Sequence, residues 1–252
     1  FLMLRAGSKW IRSFQPRVTP DLVKCNRFVR NGTVVGGVMC AGGMYYTRES
    51  FVENRNTNRT ILYSIIGLNT AVFLGFRASV VRPGLASFLS RHFLGSMKNL
   101  QQGRYHTLLT STFSHYSFTH YTLNTLGTYI VLSEACKIFT PSQFVGLYCG
   151  AGIASSLAEI AFLYYFGVPT VVLGASGSLL AFIGYLATKF PHAEWSIIFI
   201  PYYFSSVTLI KGLIAFDIGG TLLYILNQQG ITKFSSKIGH RAHFTGLTIG
   251  IL

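Results

Sequence analysis

VVLGASGSLLAFIG, residues 171–184, sets a serine, Ser176, between glycines at the head of an apolar run. A polar group held inside hydrocarbon is costly and therefore marks a functional site. Whether this run lies in hydrocarbon depends on its surroundings. Half of the 252 residues are hydrophobic and only 11% are charged, with a mean hydropathy of +0.43, whereas an ordinary soluble domain of this length is far more polar. The chain therefore reads as a polytopic membrane protein. Its formal charge of +14 would also suit a nucleic-acid binder, but there the charges gather on one face or tail. Here they sit in short loops between apolar runs, so no nucleic acid is expected as a partner. The four cysteines, Cys25, Cys40, Cys136 and Cys149, form no CxxC pair and lie far apart. They indicate neither a zinc site nor a disulfide framework and read as free thiols or packing residues.

A bilayer core takes about 20 apolar residues as helix. Seven segments are candidates. TVVGGVMCAGGMYY from Thr33 is short and glycine-rich. It is followed by TILYSIIGLNTAVFLGF ending before Arg77, TFSHYSFTHYTLNTLGTYIVLS up to Ser133, and PSQFVGLYCGAGIASSLAEIAFLYYF from Pro141. The fifth runs from Ser176 to about Thr188, the sixth from Val207 to Leu226, and the last from near Gly239 to Leu252. SIIFIPYYF, broken by Pro201, reads as an interfacial loop. Without an internal repeat or a low-complexity linker, the chain reads as one domain behind a basic leader. That leader carries Arg5, Lys9, Arg12, Arg17, Lys24, Arg27 and Arg30 against Asp21 alone, the pattern of a mitochondrial presequence rather than a generic basic tail. The sequence begins at Phe1 and stops at Leu252 inside an apolar stretch, so both ends read as truncated.

Lysine and arginine stay on the side from which a chain was not translocated. On alternating sides, the leader, the Arg77–Arg104 loop, the stretch before Ser176 and the loop with Lys233, Lys237 and Arg241 together carry about +14. The opposite set, Arg48–Arg59, Glu134 with Lys137, and Lys189 with Glu194 and Lys211, carries about +2. Six spans would scramble this separation, so the first glycine-rich segment is expected to cross. The third, fifth and last spans then enter from the basic side and bring His115, His120, Asn124, Ser176 and His243 to one depth in one leaflet. His120 and Asn124, four apart, share a helix face. Gly239, His243, Gly246 and Gly250 recur at helical spacing, which puts the imidazole on a glycine face, and small residues let helix backbones approach closely in membranes. Gly174 and Gly177 permit the same approach around Ser176 and expose its hydroxyl, while the helix start supplies N–H groups for a developing oxyanion. Glu159 and Asp217, on other spans, read as packing or hydrogen-bonding groups. His92, His106, His192 and His240 read as loop residues without chemistry.

HYSFTHYTLN, GASG and AHFTGLTIG resemble the His-x4-His-x3-Asn, Gly-x-Ser-Gly and Ala-His-x2-Gly-x3-Gly motifs of the rhomboid intramembrane serine proteases. LLTSTFSH, GASGSLLAFIGYLATKFP, IIFIP and the extra leading span are similar to the mitochondrial, presenilin-associated rhomboid-like branch. The resemblance covers Ser64 to Leu252. It departs between Val80 and His106, where the Trp-Arg pair of many bacterial members is missing. It implies an all-α membrane protein, a rhomboid-type six-helix core with one extra N-terminal transmembrane helix (1+6). Residues 1–31 would be the leader, 32–59 the N-terminal transmembrane helix and connecting loop, and 60–252 the protease core.

The resemblance further implies a Ser-His dyad without a third acidic member. Ser176 would be the nucleophile and His243 the base, with oxyanion groups at His120, Asn124 and the Ser176 N–H and close packing at Gly174, Gly177, Gly246 and Gly250. His115 would be auxiliary, either structural or holding a water. It implies neither cofactor nor metal. The implied partners are transmembrane protein substrates and the lipid bilayer, and the implied location is the mitochondrial inner membrane. The alternative is a catalytically inactive rhomboid-like membrane chaperone or scaffold, but such proteins typically lose the serine or the histidine and this chain keeps both. An aspartyl intramembrane protease would need two facing carboxylates with Gly-x-Gly-Asp, and a zinc one His-Glu-x-x-His; the sequence has neither motif. A transporter would more often show repeat symmetry. If the leader directs the N-terminus to the matrix, the loop with Arg82, Arg91, Lys98 and Arg104 shares that side with the mouth above Ser176. Single cysteines at Ser96 and Ser236, in an otherwise cysteine-free variant, should then resist an impermeant maleimide in mitoplasts, while one at Ser142 reacts. Labelling at Ser96 and not at Ser142 would invert the arrangement.

Overall fold

Side-chain caps decide where several of the apolar runs become helices. A computed structural model describes residues 54–168, 171–196, 202–232 and 238–252. The basic leader, the first glycine-rich segment, Cys25 and Cys40 lie outside the described residues. The long helices are α1 (Asn54–Ala78), α5 (Phe118–Ala135), α6 (Pro141–Tyr165), α7 (Ser176–Lys189), α8 (Ser206–Gln228) and α9 (His240–Ile251), with short α2 (Pro83–His92), α3 (Met97–Gln101) and α4 (Thr107–Thr110) between the first two. Each of the second to seventh apolar segments is thus a helix. By length and composition α1 with the turn after it, α6 and α8 are able to cross a membrane.

The helix of the third segment starts later than its apolar pattern suggests. Ser117 takes an extended backbone and its hydroxyl accepts the His120 N–H at 3.1 Å, an N-cap that begins α5 at Phe118. His115, expected on the span, therefore lies in the turn before it. Thr140 and Gln143 form a reciprocal capping box at α6, with Pro141 in its first turn. The second segment, in contrast, starts its helix earlier, at Asn54. The buried Asn58 side chain there donates to the Phe139 carbonyl at 2.6 Å and so ties α1 to the turn after α5.

Between α1 and α5 the basic loop is an organised layer. Asn99 donates to the carbonyls of Ser90 and Leu94 at 3.0 and 2.6 Å, and its own oxygen accepts from Arg104 Nε and Nη2 at 3.0 and 2.8 Å. The fold is also not purely helical. β1 (Glu194–Ser196) pairs antiparallel with β2 (Tyr203–Ser205), so the stretch expected as an interfacial loop is flanked by a small ribbon. Trp195 Nε1 pins it by donating to Ser206 Oγ at 2.8 Å.

α6 runs through the centre, 72% of its most apolar window being buried against only 6% for α8. Phe144, Leu147 and Tyr148 of α6 meet Leu62 of α1, Leu132 of α5 and Phe182 of α7 in the main core. The tightest contact is between α7 and α9. A Cβ on Gly246 would stand 2.0 Å from the Gly177 carbonyl oxygen, and one on Gly250 1.9 Å from that of Ala181. Backbone therefore lies on backbone, the close approach that small residues permit. Gly250→Ala should cost about 1–3 kcal/mol, the usual penalty of overpacking, seen as a lower melting temperature in detergent. Gly212→Ala on α8, where a Cβ would meet nothing within 4 Å, should be neutral or stabilising by up to about 1 kcal/mol. Equal stability of Gly250→Ala and the parent would contradict the backbone contact.

Candidate active site

The loop before α7 is held from below. Gly95 and Val172 exchange backbone hydrogen bonds at 3.0 and 2.7 Å, and the Gly174 N–H donates to the Ser111 carbonyl at 3.0 Å. Gly174 sits at φ +124°, a region that L side chains rarely adopt, and a Cβ there would also lie 3.0 Å from the His120 ring. Only glycine fits both demands. Ala175 precedes the helix without a side-chain cap, which leaves the first-turn N–H groups, beginning with Ser176, without intrahelical partners.

α9 brings His243 to this helix start. His243 lies one turn into α9, and its Nε2 is 2.8 Å from Ser176 Oγ. The depth of α9 is set by a buried carboxylate on α6. Glu159 accepts the Ala242 N–H at 3.1 Å and pairs with Arg241, whose guanidinium lies over the rings of Phe162 and Tyr224, 4.5 and 4.8 Å from their centroids. Glu159 is thus a hydrogen-bonding group, as its sequence reading has it.

On the other side of the serine, Tyr116 N–H donates to His120 Nδ1 at 3.3 Å. A nitrogen that accepts leaves the proton of a neutral ring on the other nitrogen, so Nε2 of His120 is the donor, and it is the edge facing Gly174. Asn124 donates one amide N–H to the His120 carbonyl at 3.0 Å; the amide nitrogen has a second. Asn124, Ser176 and His243 line one cavity of about 260 Å³, with Leu123, Leu180 and Phe216 among its apolar walls. His115 is not among the residues lining that cavity; it stands edge-on behind His120, ring centroids 5.2 Å apart.

Two residues matter more than their sequence reading allows. His240 is the first residue of α9, 3% exposed, and its Nδ1 is 3.0 Å from Asp217 Oδ1. The same oxygen is 3.5 Å from His243 Nδ1. His240 is therefore a buried side chain at the site and not a loop residue. Its spacing of three from His243 places both rings on neighbouring positions of one helix face, a signal present in the sequence. His92 and His106 are likewise not isolated: they close α2 and open α4, with Nδ1 and Nε2 3.0 Å apart. His192 is exposed in a turn.

A family model described as Rhomboid domain matches residues 102–252. The chain belongs to the rhomboid family. This rhomboid is 28% identical, over 81% of its length and 49% of the relative's, to presenilin-associated rhomboid-like protein A, mitochondrial, of Danio rerio. It is 30% identical, over 74% of its length and 46% of the relative's, to presenilin-associated rhomboid-like protein, mitochondrial, of Mus musculus. It is 24% identical, over 78% of its length and 58% of the relative's, to RHOMBOID-like protein 12, mitochondrial, of Arabidopsis thaliana. The chain spans about half the length of the curated relatives it matches. No solved structure matches it.

The Glu159–Arg241 pair has a testable energetic role in this rhomboid. Removing one partner of a buried pair strands the other, at a cost of about 3–5 kcal/mol. Glu159→Ala should therefore lower the unfolding free energy by that amount in mixed micelles. Lys137→Ala, which loses only an exposed pair with Glu134, should change it by about 0–1 kcal/mol.

Proposed function

We propose that this rhomboid is an intramembrane serine endopeptidase that cleaves transmembrane segments with a Ser176–His243 dyad. The reading is carried by the 2.8 Å contact between Ser176 Oγ and His243 Nε2 beside an apolar cavity. The mitochondrial names of its relatives and the basic leader support a location in the mitochondrial inner membrane, with imported or resident membrane proteins as substrates. The same support extends to a 1+6 arrangement: a leader over 1–31, an additional span within 32–59 and a protease core over 60–252.

In the mechanism, His243 Nε2 takes the Ser176 hydroxyl proton as Oγ bonds to the scissile carbonyl carbon, which generates an oxyanion. His243 then gives that proton to the leaving amine as the peptide C–N bond breaks, leaving an acyl-serine. Water hydrolyses the ester by the reverse proton path. Charge on the oxyanion is met by the Ser176 N–H, His120 Nε2–H and the remaining Asn124 amide N–H, donors fixed before the reaction in a low-dielectric site. Gly174 admits the His120 ring, and Gly177 with Gly246 and Gly250 keeps the two catalytic helices in register.

Purified protein in proteoliposomes with a transmembrane reporter tests this. Ser176→Ala and His243→Ala should each abolish cleavage, and the double variant should lose little more, because the two act as a unit. A fluorophosphonate should label Ser176. Asn124→Ala should reduce kcat by about 10²- to 10³-fold, the cost of one oxyanion donor. A folded Ser176→Ala variant that still cleaves would refute the reading and favour a non-catalytic role.

A further inference from the structure

α1 ends beside the turn that leads into α5, and three of its side chains, at helical spacing on one face, grip that region. Thr70 Oγ1 and the Tyr121 hydroxyl lie 2.8 Å apart. The Phe73 ring stacks on that of Tyr121, with centroids 4.5 Å apart and planes 11° from parallel. One turn further on, Arg77 lays its guanidinium over the Phe73 ring, 5.1 Å from the centroid, and its Nη2 donates to the Tyr116 carbonyl at 3.3 Å. Tyr116 is also the residue whose N–H donates to His120 Nδ1. A single residue of the turn thus links the two: its oxygen is held by α1, and its N–H meets the ring that faces Gly174. The proposed reaction gives Arg77 no part.

We propose that Arg77 is a positioning residue for His120: by fixing Tyr116 it keeps the His120 proton on Nε2, where the oxyanion forms. This rests on the Ser176–His243 reading with His120 as an oxyanion donor. A neutral imidazole carries one N–H, and the hydrogen bond made by one ring nitrogen decides which of the two holds it. The Tyr116 N–H only donates, so it requires an unprotonated Nδ1. Residues 115–117 lie ahead of the Ser117 cap and outside any helix or strand, so no regular backbone ladder aims that N–H. Arg77 supplies the constraint at the carbonyl of the same residue. A charged donor bonds more strongly than a neutral one, and a guanidinium lying flat on Phe73 is pre-organised to give it. With Tyr116 turned away, Nδ1 is free to take the proton, and Nε2 then presents a lone pair to the oxyanion and repels it. Arg77 also stands in the last turn of α1, where the helix dipole favours any cation. Lysine serves that second role equally but lacks the planar fork that lies on Phe73. Arg77 is exposed, so its removal leaves no buried charge unpaired.

Nitrogen NMR of histidine-labelled protein, with the His120 signals assigned by their loss in His120→Ala, reads the tautomer directly. Cleavage kinetics of the transmembrane reporter in proteoliposomes read its consequence. In the parent, His120 should be the Nε2–H tautomer. Arg77→Ala should raise the Nδ1–H share and lower kcat by about 3- to 10-fold, the factor one hydrogen bond is worth, with KM nearly unchanged. Arg77→Lys should recover only part of that loss. On a His120→Ala background, Arg77→Ala should change kcat by less than about 2-fold, because its effect passes through the ring it positions. Thr70→Val, which loosens the same seam without touching Tyr116, should leave the tautomer as it is in the parent. An unchanged His120 tautomer in folded Arg77→Ala would overturn the proposal. So would equal kcat losses with and without His120, or full recovery by Arg77→Lys. Two variants run alongside separate the readings. Cleavage by Ser176→Ala, or parental kcat in His120→Ala, sinks the reading beneath the proposal; a dead Ser176→Ala and an impaired His120→Ala, with the tautomer unaltered in Arg77→Ala, sink the role of Arg77 alone.

Discussion

Close contact between the backbones of α7 and α9 is the constraint on which the site depends. Ser176 is the first residue of one helix and His243 lies one turn into the other. A hydrogen bond between short side chains on two helices requires the helices to approach more closely than ordinary side chains allow. Gly184, Gly246 and Gly250 remove the obstacle, each with a would-be Cβ at 2.5 Å or less from the backbone of the facing helix, while a Cβ on Gly177 would stand 2.5 Å from Ser155 of α6. In lipid, helices gain little from hydrophobic burial against each other, and such packing is a main source of association. The same glycines therefore serve stability and geometry together.

Depth and rotation of α9 need a second device, because a smooth glycine face resists sliding poorly. Two buried carboxylates from different helices supply it. Glu159 of α6 takes the Ala242 N–H and Arg241, and Asp217 of α8 takes His240. Both act within the first turn of α9, where backbone N–H groups lack partners and negative charge is favoured by the helix dipole. His243 follows directly after that turn. Its position is consequently set by three neighbours, α6, α7 and α8.

Much of this was legible in the sequence because hydrocarbon makes both apolar length and polar exceptions conspicuous. The second to seventh apolar segments are helices, and Gly246 and Gly250, at helical spacing from His243, lie against the backbone of α7. The start of α5 lies later than the third apolar segment because the Ser117 cap, a local hydrogen bond invisible to hydropathy, decides it. The ribbon of β1 and β2 is not legible because three-residue strands carry almost no periodicity. Arg104 and Asn99 gave no signal either, since a loop tied together by one amide side chain has no repeating pattern. His240 reads as a loop residue because it stands beside Arg241 at a polar boundary. Its pairing with Asp217, 23 residues away, depends on how α8 docks, which no local spacing encodes.

α8 carries a consequential residue on the most weakly buried of the long helices. Only 6% of its apolar window is buried, and its Ile218 and Leu222 are more than half exposed, a surface suited to lipid rather than to protein. What joins it to α9 includes Phe216, Asp217 and Gly220, all against His240. A carboxylate exposed to hydrocarbon by outward movement of α8 would lose its histidine partners and be strongly disfavoured. The Asp217–His240 contact therefore stabilises the docked position of α8 by the same interaction that keeps a carboxylate near His243. Docking of this helix and alignment of the proposed base are in this way coupled through one buried charge.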